Sequence, residues 1–400
     1  MSRVDQARVL ILVENAPVPF DRRVRQHAVA LHEAGFEVVV ICPQGDEVDS
    51  GRYELYEGVA IHRFPLRNSG GGAAGYLREY ASALWSMRRL IHRLTAARPF
   101  DVVHACNPPD LIAPAFSTLK RQGTRLIFDH HDLAPELYEA RYGRRGVFYR
   151  ALLAAERLAF RSADVVITTN ESYRAIALGR GHKRSEDVFV VRNAPDPGRF
   201  RPIDPDEKAK RGKRFLIAYL GLMGPQDGVD CALRALAVLL SQRDDWHAVF
   251  MGEGEVMADM VRLADELGLS DVVEFTGRVS DERILPTLSA ADVCISPEPW
   301  NPLNDRSTFV KVVEYMAMAR PIVAFDLTET RVSAGDAALY APRNDEAAFA
   351  GQIALLLDDD VKRRALGEHG RERLGRELGW DHSREQLLRA YATALDGGSG

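Results

Sequence analysis

The chain has 400 residues, of which 46% are hydrophobic and 27% charged, and its formal net charge is −5. That length accommodates two domains, each able to bury its own core, and the acid-leaning balance excludes a global electrostatic attraction to nucleic acid. Four cysteines, Cys42, Cys106, Cys231 and Cys294, are scattered through apolar runs with no Cys-x-x-Cys or His/Cys spacing; they carry no metal pattern and read as small buried hydrophobes in a reducing compartment.

No window approaches the roughly 18 uninterrupted apolar residues of a spanning helix. The first 17 residues, MSRVDQARVLILVENAP, lack a secretory pattern, and the expected location is the cytoplasm. VLILV at 9–13 is a short continuous apolar run, the signature of a strand buried on both faces. Asp21–Ala34 follows with helical spacing: Val24, Ala28 and Leu31 fall on one face and Gly35 closes the segment. EVVVI at 37–41 is the next buried strand, and this opening is doubly wound in style. The alternation continues with strands at 60–64, 101–106, 125–129, 165–170 and 188–193. Helices are expected around 76–97, from about 109, and at 147–162. The Gly-rich stretch at 67–76 reads as a connection or a mobile rim.

APDPGRFRPIDPD at 194–206 is dense in proline and charge and reads as a linker. The alternation then restarts. Strands FLIAYLG (215–221), HAVFMG (247–252), VVEFTG (272–277), VCIS (293–296) and PIVAFD (321–326) are separated by helices from 228, 255 and 281. From about 344 the chain is helical, and GGSG at its end reads as a flexible tail. The expectation is an α/β protein of two doubly wound, Rossmann-like domains, at 1–195 and 196–378, facing across a cleft. Residues 379–400 form a last helix and tail that cross back to the first domain. Ligands of such sheets bind outside the carboxyl ends of the strands.

One stretch organises the second half: ISPEPWNPLNDRSTFVKVVEYMAMARPIVAFD, 295–326. A strand tip runs into a polar loop, Ser307-Thr308 are expected to start a helix, Glu314 sits two turns inside it, and Arg320-Pro321 end it. The first amides of a helix lack partners and lie at the positive end of its dipole, a ready anion site. Lys311 adds a charge one turn along.

EYMAMARPIVAFD resembles the C-terminal signature of the family-4 retaining glycosyltransferases of GT-B architecture. NDRST before the helix and FDLTETR after it resemble a subgroup that makes bacterial surface polysaccharides such as O-antigen. RNAPDPGRF is similar to the family's interdomain hinge and GRVSDERILPTLSAADVCISP to a further family segment, so the likeness covers nearly the whole chain. It implies a nucleotide-sugar donor, a hydroxyl acceptor that is lipid-linked in the membrane-bound case, and no cofactor or metal. It also implies that Ser307, Thr308 and Phe309 hold the donor diphosphate and Glu314 the ribose. Gly252 and Glu253 of a Gly-x-Gly turn, with Gly277, Arg278 and Val279, lie beside the base. In DHHDLAPELY (129–138), the resemblance implies that His131 is the catalytic group that touches the transferred sugar and that Asp132 orients it or binds a sugar hydroxyl; His130 is the neighbour that turns inward if it is a core residue. The first strand–helix loop, with Glu14, Asn15, Arg22 and Arg23, faces acceptor and phosphates; the alternative is that Arg22 or Arg23 only solvates its helix.

The sequence departs from the family at two places. GLMGPQDGVD (221–230) has Leu222 and Asp227 where an Arg and a Lys neutralise the diphosphate, and Arg306 stands where the first Glu of a Glu-x7-Glu pair is expected. Positive charge is therefore expected to have moved to Arg306 and Lys311, with Arg331. RYGRRGVFYRALLAAERLAFR (141–161) is basic, aromatic and helical; it packs on the sheet or lies on an anionic membrane at the inner face. Two rival activities fit the same architecture: a nucleotide-sugar 2-epimerase and a non-catalytic sugar-nucleotide-binding protein. No motif names the base, the sugar, the acceptor or the oligomeric state.

Overall fold

The computed structural model describes residues 7–45, 51–65, 73–96, 98–195 and 198–397. The chain forms two compact units, one of Met1–Glu139, Gly143–Arg192 and Ser383–Gly400, the other of Ala140–Tyr142 and Asn193–His382. The Gly-rich connection at 67–76 falls largely outside the described residues, as do 196–197 of the linker and 398–400 of the tail.

The first unit runs β1 (Arg8–Leu12), α1 (Arg22–Glu33), β2 (Glu37–Pro43), β3 (Tyr53–Tyr56), β4 (Val59–Phe64), α2 (Ala73–Thr95), β5 (Val102–Cys106) and α3 (Ile112–Phe116). It continues with β6 (Arg125–His130), α4 (Ala134–Tyr142), α5 (Val147–Ser162), β7 (Val165–Thr168), α6 (Glu171–Gly179) and β8 (Val188–Val190). Among the described residues the strands form one sheet of order β3-β4-β2-β1-β5-β6-β7-β8. All neighbours are parallel except the β3–β4 hairpin. That hairpin was not expected. Its turn, Glu57-Gly58, has positive φ at both residues (46° and 82°), and a Cβ on Gly58 would lie 2.0 Å from His32 Nε2, so only glycine fits the second position.

Asp21 caps α1 through the amide of Val24 (3.0 Å). The basic segment at 141–161 is not one helix. α4 ends at Tyr142 because Gly143 adopts a left-handed cap (φ 63°), and α5 starts only after Gly146.

The second unit runs β9 (Phe215–Leu220), α7 (Val229–Leu240), β10 (Trp246–Met251), α8 (Met257–Glu266), β11 (Val273–Gly277), α9 (Asp281–Ala290), β12 (Val293–Ser296), α10 (Val310–Ala317), β13 (Ile322–Phe325), α11 (Thr328–Ala334), β14 (Ala338–Ala341), α12 (Glu346–Asp358) and α13 (Asp360–Arg373). α14 (Trp380–Asp396) follows, and from Ser383 onward it belongs to the first unit. The sheet order is β11-β10-β9-β12-β13-β14, all parallel. Successive β9 residues feed opposite cores: Phe215, Ile217 and Tyr219 pack with Leu236 and Phe250, while Leu216 and Ala218 pack with Met251 and Met316. Burial on both faces is why FLIAYL is continuously apolar.

In each sheet the strand order reverses once, between β1 and β5 and between β9 and β12. Loops leaving those strand ends diverge to opposite faces and open a crevice there. In the first unit these are the loops after Leu12 and Cys106; in the second, those after Leu220 and Ser296.

Candidate active site

In the second unit the loop at 297–309 differs from expectation. Asn304–Arg306 form a 3-10 turn, Ser307 is extended, and α10 starts at Val310 with Phe309 as its cap residue. Ser307 does not cap the helix because its hydroxyl donates to the carbonyl of Leu303 (2.9 Å); such local side-chain-to-backbone bonds compete with helix initiation. The helix-start amides are thus those of Phe309, Val310 and Lys311, and Glu314 lies one turn inside, buried. Tyr315 ties the two switch-point strands together: its hydroxyl accepts from the amide of Leu220 (2.8 Å) and donates to the carbonyl of Ile295 (3.3 Å).

Lys311 is buried and ion-paired with Glu298, which is itself fully buried and also bonded to the Ser296 hydroxyl. Its Nζ donates to Tyr219 Oη (3.0 Å). Burial opposes its charge, but Glu298, Tyr219 and Asp227 hold its pKa above the usual lysine range. The same burial pushes the Tyr219 phenol up to about 12. A Cβ on Gly221 would meet Lys311 Cε at 2.8 Å and Nζ at 3.1 Å, so the ammonium reaches the tip of β9, beside the position from which Arg is missing. Glu298 was the residue overlooked: thirteen positions separate it from Lys311, and no local pattern pairs them.

The other expected cations are engaged elsewhere. Arg306 Nη1 donates to the carbonyl of Pro302 (2.8 Å), and Arg331 pairs with Asp326 and stacks 4.2 Å from the Tyr340 ring centroid. Leu222 is 70% exposed. Asp227 turns onto its own loop, its carboxylate accepting from the amide of Gly224 (2.8 Å), and burial raises its pKa against the pull of Lys311.

The Gly-x-Gly turn packs against this loop. Gly252 (φ 140°) donates to the carbonyl of Gly277 (3.0 Å), and the Met223 amide to that of Glu253 (3.0 Å). A Cβ on Gly252 would lie 1.9 Å from the carbonyl oxygen of Gly221. Glu253 and Arg278 are exposed and 3.9 Å apart, and Val279 is half-buried against the core behind β9 and β10. Asn304, nearly fully buried, joins the loops by donating to the carbonyls of Gln226 (2.9 Å) and Pro299 (2.8 Å).

In the first unit the groups converge at the ends of β5 and β6. Asp129 is fully buried and held bidentately by Arg23 (Nε–Oδ2 2.8 Å, Nη2–Oδ1 2.7 Å). Of the two arginines in the first loop, Arg22 is exposed and Arg23 points inward. Glu14 is buried and Asn15 exposed. His27, His104 and His131 each approach Asp129 Oδ2, at 3.8, 3.4 and 3.5 Å. Burial would raise the Asp129 pKa, but Arg23 first, then His131 and His104, take it well below the carboxylate range. The pKa of His27 is also lowered, chiefly by burial and then by Arg23, which favours its neutral ring. His27, His104 and Asp129 have metal-ligand spacing, but the guanidinium already occupies both carboxylate oxygens and would repel a cation, so the group reads as an ion-pair cluster.

His131 is the half-buried member. Burial lowers its pKa, yet Asp129 and Asp132 outweigh this and the net shift is upward. Asp132 is shifted up by burial, opposed by His131 and His130. His130 turns fully inward, 3.3 Å from Glu156 and edge-on to Phe160, with ring centroids 4.9 Å apart. The backbone of the pair is fixed by Asn107, fully buried, which the sequence did not single out. Its oxygen accepts from the amides of His131 (2.9 Å) and Asp132 (3.0 Å), and its nitrogen donates to Asp110 (2.8 Å) and to the Asp132 carbonyl (2.8 Å).

Two doubly wound units, one with the Lys311 ammonium at the tip of β9 and the other with a histidine–carboxylate turn after β6, define the GT-B class of sugar-transferring enzymes. The comparisons with known proteins agree. Residues 21–194 match the family described as glycosyl transferase 4-like domain and residues 214–359 the family described as glycosyl transferases group 1. D-inositol 3-phosphate glycosyltransferase 1 of Catenulispora acidiphila is 28% identical over 87% of this chain and 84% of its own. Among solved structures, sucrose-phosphate synthase from Thermosynechococcus elongatus superposes with a TM-score of 0.79 at 19% identity over 98% of this chain and all of that one. HepE of Anabaena, solved with UDP-glucose, superposes at 0.72 with 17% identity, covering 96% and 99%. The chain belongs to the family-4 type of GT-B glycosyltransferases and is a glycosyltransferase.

Proposed function

We propose that this enzyme moves a sugar from a nucleoside-diphosphate sugar to a hydroxyl acceptor with retention at the anomeric carbon, in the synthesis of a bacterial surface polysaccharide or another glycoconjugate. The observation that supports this reading is the start of α10 beside the β9/β12 switch point: the Phe309, Val310 and Lys311 amides lie next to Ser307 and Thr308, and the Lys311 ammonium lies at Gly221, an arrangement suited to an anion. There the diphosphate leaves against helix-start amides and a protein cation, with no metal required. Glu314 takes the ribose hydroxyls, and the 252–253 and 277–279 turns take the base. His131 with Asp132 takes the sugar, and Glu14, Asn15 and Arg22 face the acceptor. Arg23 is withdrawn from that role by Asp129. Arg306 is left a supporting place at the loop rim. The HepE neighbour was solved with UDP-glucose and the curated relative is named for D-inositol 3-phosphate; both fit a nucleotide-sugar donor and a polyol acceptor.

The test is incubation with UDP-, GDP- and dTDP-sugars with and without a hydroxyl acceptor, followed by NMR. The expected result is nucleoside diphosphate released only when acceptor is present. Acceptor-independent conversion of the sugar would favour the 2-epimerase, and binding without turnover for every acceptor tried would favour the non-catalytic protein.

Among the described residues no helix is long and apolar enough to cross a membrane. A peripheral contact is nevertheless part of the proposal, because Tyr142, Val147 and Phe148 are exposed beside Arg144 and Arg145 at the α4–α5 turn, a pattern suited to an anionic surface at the inner face of the membrane and to a lipid-linked acceptor. Flotation with anionic liposomes at low salt tests it: binding lost in Phe148→Ser supports the contact, and no binding by the parent protein ends it.

A further inference from the structure

The inward-facing cluster of the first unit has a consequence for its one half-buried member. His131 Nδ1 is sealed from solvent and lies 3.5 Å from Asp129 Oδ2, longer than an ordinary hydrogen bond but well within electrostatic contact. Asp129 cannot swing toward or away from it, because Arg23 holds both carboxylate oxygens and itself donates to the carbonyl of Val191 (2.9 Å). Behind Asp129, His104 Nε2 stands 3.4 Å from the same oxygen, and His104 Nδ1 is 2.8 Å from the Tyr391 hydroxyl on α14. Asn107 holds the backbone of His131 from the other side. Ring and carboxylate are thus each fixed independently, which is the condition for one side chain to set the orientation of another.

We propose that Asp129 is the positioning residue of His131: its Arg23-clamped carboxylate faces Nδ1, keeps the proton there, and so presents Nε2 to the transferred sugar. The last helix of the chain buttresses this arrangement through Tyr391 and His104. The proposal rests on the reading of His131 as the group at the sugar. A carboxylate facing one ring nitrogen selects the tautomer protonated on that nitrogen and stabilises the imidazolium. The charged and titratable groups around the ring act in both directions. Arg23 and the other histidines of the cluster disfavour a cationic His131; Asp129 and Asp132 favour it. Asp21 at the start of α1, Cys106 at the end of β5 and Tyr391 on α14 complete the surroundings of Asp129. The balance favours the protonated ring, consistent with the upward shift at His131.

The test begins on the unaltered protein without donor, by NMR of isotope-labelled histidine. His131 is expected to carry its proton on Nδ1 when neutral and to titrate above about 6.5. In Asp129→Asn the midpoint should fall by about one pH unit or more. The alkaline limb of the kcat profile should move with it, while the donor KM stays within about two-fold. Where that variant does not fold, the paired replacement Arg23→Gln with Asp129→Asn, which leaves no buried charge unpaired, carries the tautomer measurement, in which the neutral ring should lose its preference for Nδ1; its midpoint falls less, because Arg23 itself disfavours the cation. A neutral ring protonated on Nε2 in the unaltered protein, a midpoint that does not move in folded Asp129→Asn, or an unchanged tautomer in the paired variant overturns the proposal. A folded variant that loses turnover at every pH alike with the midpoint unmoved marks Asp129 as merely structural. Failure of transfer in every assay sinks the functional reading instead, since the titration needs no substrate.

Discussion

Asn107→Ala is the substitution whose effect follows most directly from geometry. The fully buried side chain makes four hydrogen bonds, to the His131 and Asp132 amides, the Asp132 carbonyl and Asp110. At about 1 kcal/mol net for each bond the loss is about 4 kcal/mol, and a water entering the polar void left by the amide recovers part of it. About 3 kcal/mol is therefore expected. For a unit near 200 residues that lowers Tm by about 6–12 °C. Scanning calorimetry must resolve the transition of the first unit from that of the second, because two units need not melt together. Asn15→Ala, at an exposed position of a neighbouring loop, serves as the control and should change stability by under about 0.5 kcal/mol. Turnover should also fall at temperatures where Asn107→Ala is fully folded, since the loop carrying His131 loses its anchor. A loss below about 1 kcal/mol, or full turnover in the folded variant, would show that the 131–132 backbone is held by something other than Asn107.

Asp110→Asn should stabilise the first unit at pH 7–8 by about 1–3 kcal/mol and have little effect near pH 4, read by denaturant titration at both pH values; burial raises the Asp110 pKa from 3.8 to about 6, so the folded state favours the neutral carboxyl and stability is lost as pH rises between the two values. Lys311→Met should destabilise the second unit by about 3–5 kcal/mol, because it strands the buried Glu298 carboxylate, and should weaken donor binding; adding Glu298→Gln should restore stability but not binding, and calorimetric titration showing unchanged donor affinity in the double variant would remove Lys311 from the site. Gly252→Ala should cost more than about 2 kcal/mol, since its Cβ would collide with the Gly221 carbonyl, whereas Gly268→Ala, at φ 72° with nothing within 4 Å, should cost about 1 kcal/mol of backbone strain alone; equal losses in thermal melts would contradict the packing described.

The sheets were readable in the sequence because their strands are buried on both faces: a run such as VLILV or FLIAYL has no polar positions to confuse its period. β3 was missed for the opposite reason, being an edge strand with alternating exposed residues and a turn built on Glu57-Gly58. The start of α10 was misplaced by three residues because Ser307 and Thr308 look like helix-opening residues, and only the three-dimensional path reveals that the Ser307 hydroxyl is spent on Leu303. Of the candidate site, Lys311 and Glu314 in a helix after a strand tip and His131 at a strand end were singled out in the sequence, but their partners were not. Glu298 is paired with Lys311 across thirteen residues, Arg23 with Asp129 across 106, and Asn107 with the 131–132 turn across about 25. Of the three cations expected to have moved, Lys311 is the one that reaches the tip of β9, and it is already held by a buried carboxylate.

The central claim is that a donor diphosphate rests on the first amides of α10. Titrating UDP, GDP and dTDP into nitrogen-15-labelled protein tests it directly. With one of the three, the amides of Phe309, Val310 and Lys311 and that of Gly221 should show the largest saturable shifts; saturable binding that moves only amides elsewhere, or no binding by any of them, would contradict it.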